Sequence, residues 1–216
     1  MNKRTLVVLA LALGGCRAVL NYPSALGPRY AGLPTVPSPA APASHSLRVV
    51  TYNVQWGKYV DRAINVLKTR APLAGADIIV LQEMDAAGTQ RIATVVTVMV
   101  GTVRVRVYSA HLGTPSDIRP AKRRDQADMI MADAAPYPLV IVAGDMNSHG
   151  IGKEFVEQGF VWPTEHNGFT TAVFNWDHVF LKGFAIPAPD QKSAGIVRDT
   201  LGTSDHDPVW AVAQLP

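Results

Sequence analysis

The 216-residue chain has one cysteine, Cys16, so no internal disulfide can brace it and no cysteine cluster can hold zinc. It has no apolar run approaching the roughly 20 residues of a membrane-spanning helix. It also lacks an HExxH pattern, a glycine-rich phosphate loop and a GxSxG elbow. Those absences set aside zinc proteases, P-loop enzymes, kinases and α/β-hydrolases. No internal repeat is present. A basic excess is missing as well, despite a sequence pI of 9.1. Lys3, Arg4, Arg17 and Arg29 all precede residue 46, and no acid does. Setting those four aside leaves sixteen basic residues against seventeen acids, a net of −1 over the rest. Nucleic acid is therefore not favoured as a partner by charge. One local cluster, Arg119, Lys122, Arg123 and Arg124, reads as the solvated face of a helix.

What is present divides into three parts. With 48% hydrophobic residues the chain is globular, and its length suits one domain with some extra. Lys3 and Arg4 precede an apolar run, Thr5–Leu13, which has the length of a secretory h-region. Leu13-Gly14-Gly15-Cys16 resembles the lipobox of bacterial lipoproteins, in which cleavage leaves a lipidated cysteine. Residues 1–16 are thus expected to be a lipoprotein signal peptide with Cys16 as the lipidation site. Residues 17–46 carry Pro23, Pro28, Pro34, Pro37, Pro39 and Pro42 among Ala, Ser and Gly, which reads as an extended tether. Residues 47–216 form the folded domain. The implied location is the bacterial cell envelope, lipid-anchored and facing the periplasm or exterior.

Within the domain, apolar β-branched runs predict strands at Leu47–Asn53, Ala76–Gln82, Pro138–Ala143, Phe174–Leu181 and Val209–Ala213. Ile92–Val100 and Val103–Ala110 read as a hairpin about Gly101-Thr102. Helices are expected at Asp61–Arg70, with Ala63, Ile64 and Leu67 at helical spacing, at Arg119–Ala135, and around Lys153–Gln158. In the second of these, Ala127, Ile130, Met131 and Ala134 share one face. The strands begin or end on polar residues that are costly to bury alone: Asn53, Glu83, His111, Asp145 with Asn147, and Asp205 with His206. Carboxylate and amide oxygens are the donors a hard cation such as Mg²⁺ takes. Two histidines can move protons near neutral pH.

The ordered motifs TYNVQWG, IIVLQEMD, YSAHLGT, VAGDMNS, NWDHVFL and SDHDPVW are similar to those of the endonuclease/exonuclease/phosphatase superfamily. The resemblance implies a four-layer α/β sandwich of two packed mixed sheets flanked by helices (DNase I-like), here with one or two strands fewer. It implies Mg²⁺, or Mn²⁺, held by Asn53, Glu83 and Asp205. It assigns Asp145 to positioning the attacking water and Asn147 to holding a phosphoryl oxygen. His206 becomes general base or phosphate contact, Asp177 the acid that orients it, and His111 the histidine on the leaving side. His45, His149, His166 and His178 match no role and read as surface or loop residues. Asp85 reads as a helix cap and Asp207 as a turn residue. The partner implied is a phosphoester substrate, with phospholipid head groups or small phosphodiesters ahead of an extracellular nuclease role, and the protein is expected to be a monomer. A binding lipoprotein that keeps the fold without full activity is the alternative of another class. Only 27 residues separate Glu83 from His111, fewer than superfamily members usually carry. The five-residue link after Asp85 spans at most about 18 Å, so one wall of the cleft is expected to be open.

Overall fold

The computed structural model describes residues 46–84, 93–116, 118–187 and 192–216. Cys16, the tether up to residue 45, His45, Asp85 and the start of the expected hairpin at Ile92 lie outside the described residues. Strands β1 (Ser46–Asn53), β2 (Ile78–Gln82), β7 (Ala194–Ile196) and β8 (Val209–Gln214) form one sheet in the order β2-β1-β8-β7. Strands β3 (Ala93–Val100), β4 (Val103–His111), β5 (Val140–Asp145) and β6 (Asp177–Lys182) form the other, in the order β3-β4-β5-β6. Each sheet is mixed: β1–β2 and β4–β5 pair in parallel, and the remaining neighbours are antiparallel. Helices α1 (Val60–Thr69), α2 (Pro120–Ala134) and α3 (Gly152–Glu157) complete the sandwich.

Alternation along the strands explains the layers. Leu47 and Val49 of β1, Val105 and Val107 of β4, Ile141 and Ala143 of β5, and Val179 and Leu181 of β6 meet in one core between the sheets. The intervening residues face outward. Val50 and Tyr52 lie under α1. Tyr108, Val140, Val142 and Phe180 lie under α2 and α3 with Ala127, Ile130, Met131, Ala134 and Phe155. Gly144 lets β4 and β5 close up, because a Cβ there would sit 1.8 Å from the Ala110 carbonyl oxygen.

The expected strands and helices form, with several corrections. Helix α1 buries Ala63 and Val66, while Ile64 is exposed. Strand β6 starts at Asp177 rather than Phe174. The Thr170 hydroxyl accepts the Trp176 and Asp177 N–H groups and holds residues 170–176 as a turn. The three-residue β7 carried no sequence signal. Arg123 is not on a solvated face: it is buried, and its Nη1 donates to the carbonyls of Gly113 and Ile118. His178 is not a surface residue either. It is fully buried on the outward face of β6, accepting from Trp162 Nε1 (3.3 Å) and donating to the Asn175 carbonyl (3.0 Å).

Candidate active site

The strand residues that face the intersheet core are apolar until the last rungs at one end of both sheets, where Thr51, Gln82 and Ser109 first bond to one another. There the same faces carry Asn53 on β1, His111 on β4, Asp145 on β5 and Asp177 on β6. His111, Asp145 and Asp177 are direct partners across three adjacent strands. One rung of the second sheet thus becomes a row of ionisable groups, opposite Asn53 of the first. Glu83 follows the end of β2, and His206 lies in the loop that leads into β8. All of these except Glu83, whose side chain is 13% exposed, are buried.

Asp145 is the hub. Its Oδ2 accepts from Asn53 Nδ2 at 3.1 Å and lies 3.4 Å from His111 Nε2 and 3.8 Å from His206 Nε2. Its Oδ1 accepts the Asn147 backbone N–H at 2.8 Å. Burial works to raise this carboxyl's pKa, but His111, the charge on His206 and the Asn147 N–H outweigh it and hold it at about 2. His111 Nε2 also stands 3.7 Å from Glu83 Oε1, so the Glu83 carboxylate belongs to the same cluster.

The second unit is Thr170–Asp177–His206. The Thr170 hydroxyl already accepts two backbone N–H groups, so its own proton goes to Asp177 Oδ2, at 2.6 Å. That oxygen is then an acceptor towards His206 Nδ1 as well, at 2.8 Å, and the proton between them sits on the histidine. Although burial disfavours charge on His206, Asp177 and Asp145 lift its pKa to about 10. It is therefore an imidazolium at neutral pH, with Nε2 directed to the Asp145 side. The other Asp177 oxygen, Oδ1, is buried with no hydrogen-bond partner among the described residues.

Helix α2 fixes the loop after β4. Gln126 Oε1 accepts the Gly113 N–H at 2.9 Å while Arg123 holds the Gly113 carbonyl. The preceding carbonyl, on Leu112, accepts from Asn147 Nδ2 at 3.0 Å. Neither α2 residue was singled out from the sequence for this task, since a helical Arg and Gln carry no pattern of their own. Asp205 is exposed, beside the cluster rather than in it. Asn53 offers its amide nitrogen to Asp145, and its Oδ1 accepts the Gln55 N–H.

The residues suit a divalent cation. The carboxyl groups of Glu83, Asp145 and Asp177 gather around His111 and His206 in a largely buried, oxygen-rich place. Ligand atoms of Asp145, Asp177 and His206 lie within 4.8 Å of one another. The orphaned Asp177 Oδ1 and the oxygen-rich donor set are what a hard cation would satisfy.

Comparison with known proteins agrees with this geometry. The sequence model of the Endonuclease/Exonuclease/phosphatase family matches residues 50–206. Comparison with curated proteins gives no match. Among solved structures, the chain is similar to the endonuclease/exonuclease/phosphatase from Beutenbergia cavernae, at 15% identity and TM-score 0.60, covering 79% of this chain and 72% of that one. It is also similar to the endonuclease domain of TRAS1, a telomere-specific non-LTR retrotransposon, at 14% identity and TM-score 0.59, covering 79% and 99%. D. rerio TDP2 complexed with a single strand DNA product matches at 16% identity and TM-score 0.54, covering 78% and 99%. At these identities the likeness is one of fold.

Proposed function

The chain belongs to the endonuclease/exonuclease/phosphatase family, and from that premise we propose that it is a divalent-metal-dependent phosphoester hydrolase, a phosphodiesterase or phosphatase. The observation that carries the proposal is the single buried cluster in which Asp145 meets Asn53, His111 and His206 while Asp177 holds His206 charged. Glu83 and Asp145 would hold Mg²⁺ or Mn²⁺, with buried Asn53 and, from the rim, Asp205 completing the set. A cation there supplies Lewis-acid polarisation of the phosphoryl group and neutralises developing charge.

The chain's own groups divide the remaining work. Asp145, ionised at neutral pH, accepts a hydrogen bond from the attacking water and orients it towards phosphorus. His206 donates from Nε2 to a phosphoryl oxygen as a fixed positive charge. Its proton stays in place because Asp177 binds the other nitrogen, so contact and charge are its role rather than proton abstraction. Asn147 keeps one amide N–H beyond the bond to Leu112, and that N–H is available to a second phosphoryl oxygen. His111, on the opposite side of Asp145, supplies a proton as the phosphorus–oxygen bond to the leaving group breaks.

Exposed apolar side chains stand on the loops that bear the site: Trp56 after Asn53, Met84 after Glu83, Phe169 and Phe174 before Asp177, and Leu201 before His206. This apolar rim favours a phosphoester with an apolar portion, such as a phospholipid head group or a small diester, and suits the lipid anchor proposed at Cys16. A nuclease role is the second reading, favoured by the single strand DNA product bound to D. rerio TDP2. The test is an assay of bis-p-nitrophenyl phosphate, sphingomyelin and plasmid DNA. Activity should vanish in EDTA and return with Mg²⁺ or Mn²⁺, and Glu83→Gln should weaken the response to metal. Full turnover in EDTA would overturn the proposal. Failure on every ester, with metal present, would leave the binding lipoprotein as the reading.

A further inference from the structure

A cavity of about 240 Å³ opens beside the cluster, lined by Pro120, Arg123, Arg124, Ser148, Ile151 and Glu154 and floored by Gly150. Ser148 follows Asn147 directly, so the cavity starts one residue, about 3.8 Å along the chain, from a proposed phosphoryl contact. Arg123, which is only 7% exposed, is part of its lining. The partners of its guanidinium are two carbonyl oxygens, both reached through Nη1, at 3.4 and 3.2 Å. Neither Arg123 nor Arg124 has a carboxylate partner among the described residues. Burial therefore disfavours the Arg123 charge, with no acid among the described residues paired to it. A neutral side chain of the same length could pack there at lower cost. Arg124, exposed at the rim, adds a second cation without a carboxylate partner among the described residues. Glu154 is the one acid on the walls, which leaves a net positive lining. At Gly150 an added Cβ would meet only Ser148 Oγ, at 3.8 Å, so a ligand can approach the backbone closely.

We infer that this cavity is a second anion subsite, built on Arg123 and Arg124, which takes a phosphate neighbouring the scissile one. The inference rests on the hydrolase reading above and narrows it: the favoured substrate carries two phosphates, and a choline-type head group is disfavoured. Arg123 offers the guanidinium donors that Nη1 does not use, in the planar fork that suits phosphate oxygens. Arg124 closes from the rim.

The experiment compares two pairs of esters that differ by one phosphate: a thymidine dinucleotide with and without a 5′-phosphate, and glycerophosphoinositol with and without a ring phosphate. In the wild-type chain with Mg²⁺, the second phosphate should raise kcat/KM about tenfold in at least one pair, chiefly through KM. The pair that responds identifies the source of the phosphate. Arg124→Glu should collapse that ratio to about one, and Arg124→Lys should restore part of it. The gain should also fade at high ionic strength. Equilibrium binding of the same pairs in EDTA reads the subsite without turnover and should show the same preference and the same loss. If no ester is hydrolysed but the binding preference appears and Arg124→Glu abolishes it, the subsite stands and the hydrolase reading falls. If esters are hydrolysed with no preference, or the preference survives Arg124→Glu, the subsite is wrong.

Discussion

Replacing Asp177 by asparagine keeps the size of the side chain and an acceptor oxygen but removes the charge that holds His206 protonated. His206 is lifted from 6.5 to about 10 in the folded chain, and at about 1.4 kcal/mol per tenfold change in proton affinity this coupling is on the order of 5 kcal/mol. The folded pKa lies above the unfolded one. The stabilisation is therefore complete below about pH 6.5 and disappears as the pH climbs through 10. Melting measured in EDTA, where only the chain's own groups titrate, should show Asp177→Asn about 10 °C below wild type at pH 6. The gap should narrow through pH 8 and close by pH 10. The His206 ring resonances should titrate near 10 in the wild type and well below that in the variant, where burial acts with only Asp145 and Asp205 opposing it. With metal restored, kcat at pH 8 should fall about 100-fold, because the variant's imidazole is neutral there. An equal melting deficit at pH 6 and pH 10, or a variant His206 still titrating near 10, would show that Asp177 does not set the histidine's charge.

Three other substitutions test separate links. Gly144→Ala should cost more than about 4 kcal/mol and abolish cooperative unfolding, because its Cβ would overlap the Ala110 carbonyl; a melting temperature within a few degrees of wild type would refute that close approach. His178→Ala, which leaves Trp162 Nε1 and the Asn175 carbonyl without their partner, should cost about 3 kcal/mol in denaturant titrations, with kcat little changed because the ring faces away from Asp145. Cys16→Ser should send the protein to the soluble fraction or stall its processing; an unlipidated mature N-terminus in the wild type, seen by mass spectrometry, would rule out the lipobox.

The division between legible and hidden features follows from how each is encoded. Strand β5 was legible because burial on both faces demands a continuous apolar run, and β4 because Val103, Val105 and Val107 alternate with Arg104 and Arg106 after a Gly-Thr turn; the polar residue that ends each strand was legible as a site candidate. Asp177 and His206 were paired through motif resemblance, and the structure shows the 2.8 Å contact. What stayed hidden depends on which face a residue takes. Asp177 and His178 are sequence neighbours on a strand, so one enters the cluster and the other enters the aromatic core beside Trp162 and Phe180. Arg123 was read as solvated because it stands among three other cations. Its partners are carbonyls in the loop before the helix, and backbone acceptors leave no trace in a sequence.

Alternation also explains where the chain is strained. On β2, Val80 and Gln82 face the intersheet side, with Gln82 linking Thr51 of β1 to Ser109 of β4. The next residue, Glu83, would by alternation turn away from the site. A positive φ of 57° instead accompanies its return to within 3.7 Å of His111. Asn147 does the same on the other sheet. Two residues past Asp145, with Met146 buried between them, it adopts φ 48° and caps the Asp145 carboxylate with its own N–H. The other non-glycine residues with positive φ among those described are Gln55, Trp56 and Leu201. All five lie on loops that bear a residue of the cluster. Each such conformation costs on the order of 1 kcal/mol or more and persists only where the surroundings enforce it. Stability alone would favour glycine at these positions, as at Gly57 and Gly202 in the same loops. A carboxylate and an amide stand there because the backbone strain delivers donors and acceptors that straight strands would point the wrong way.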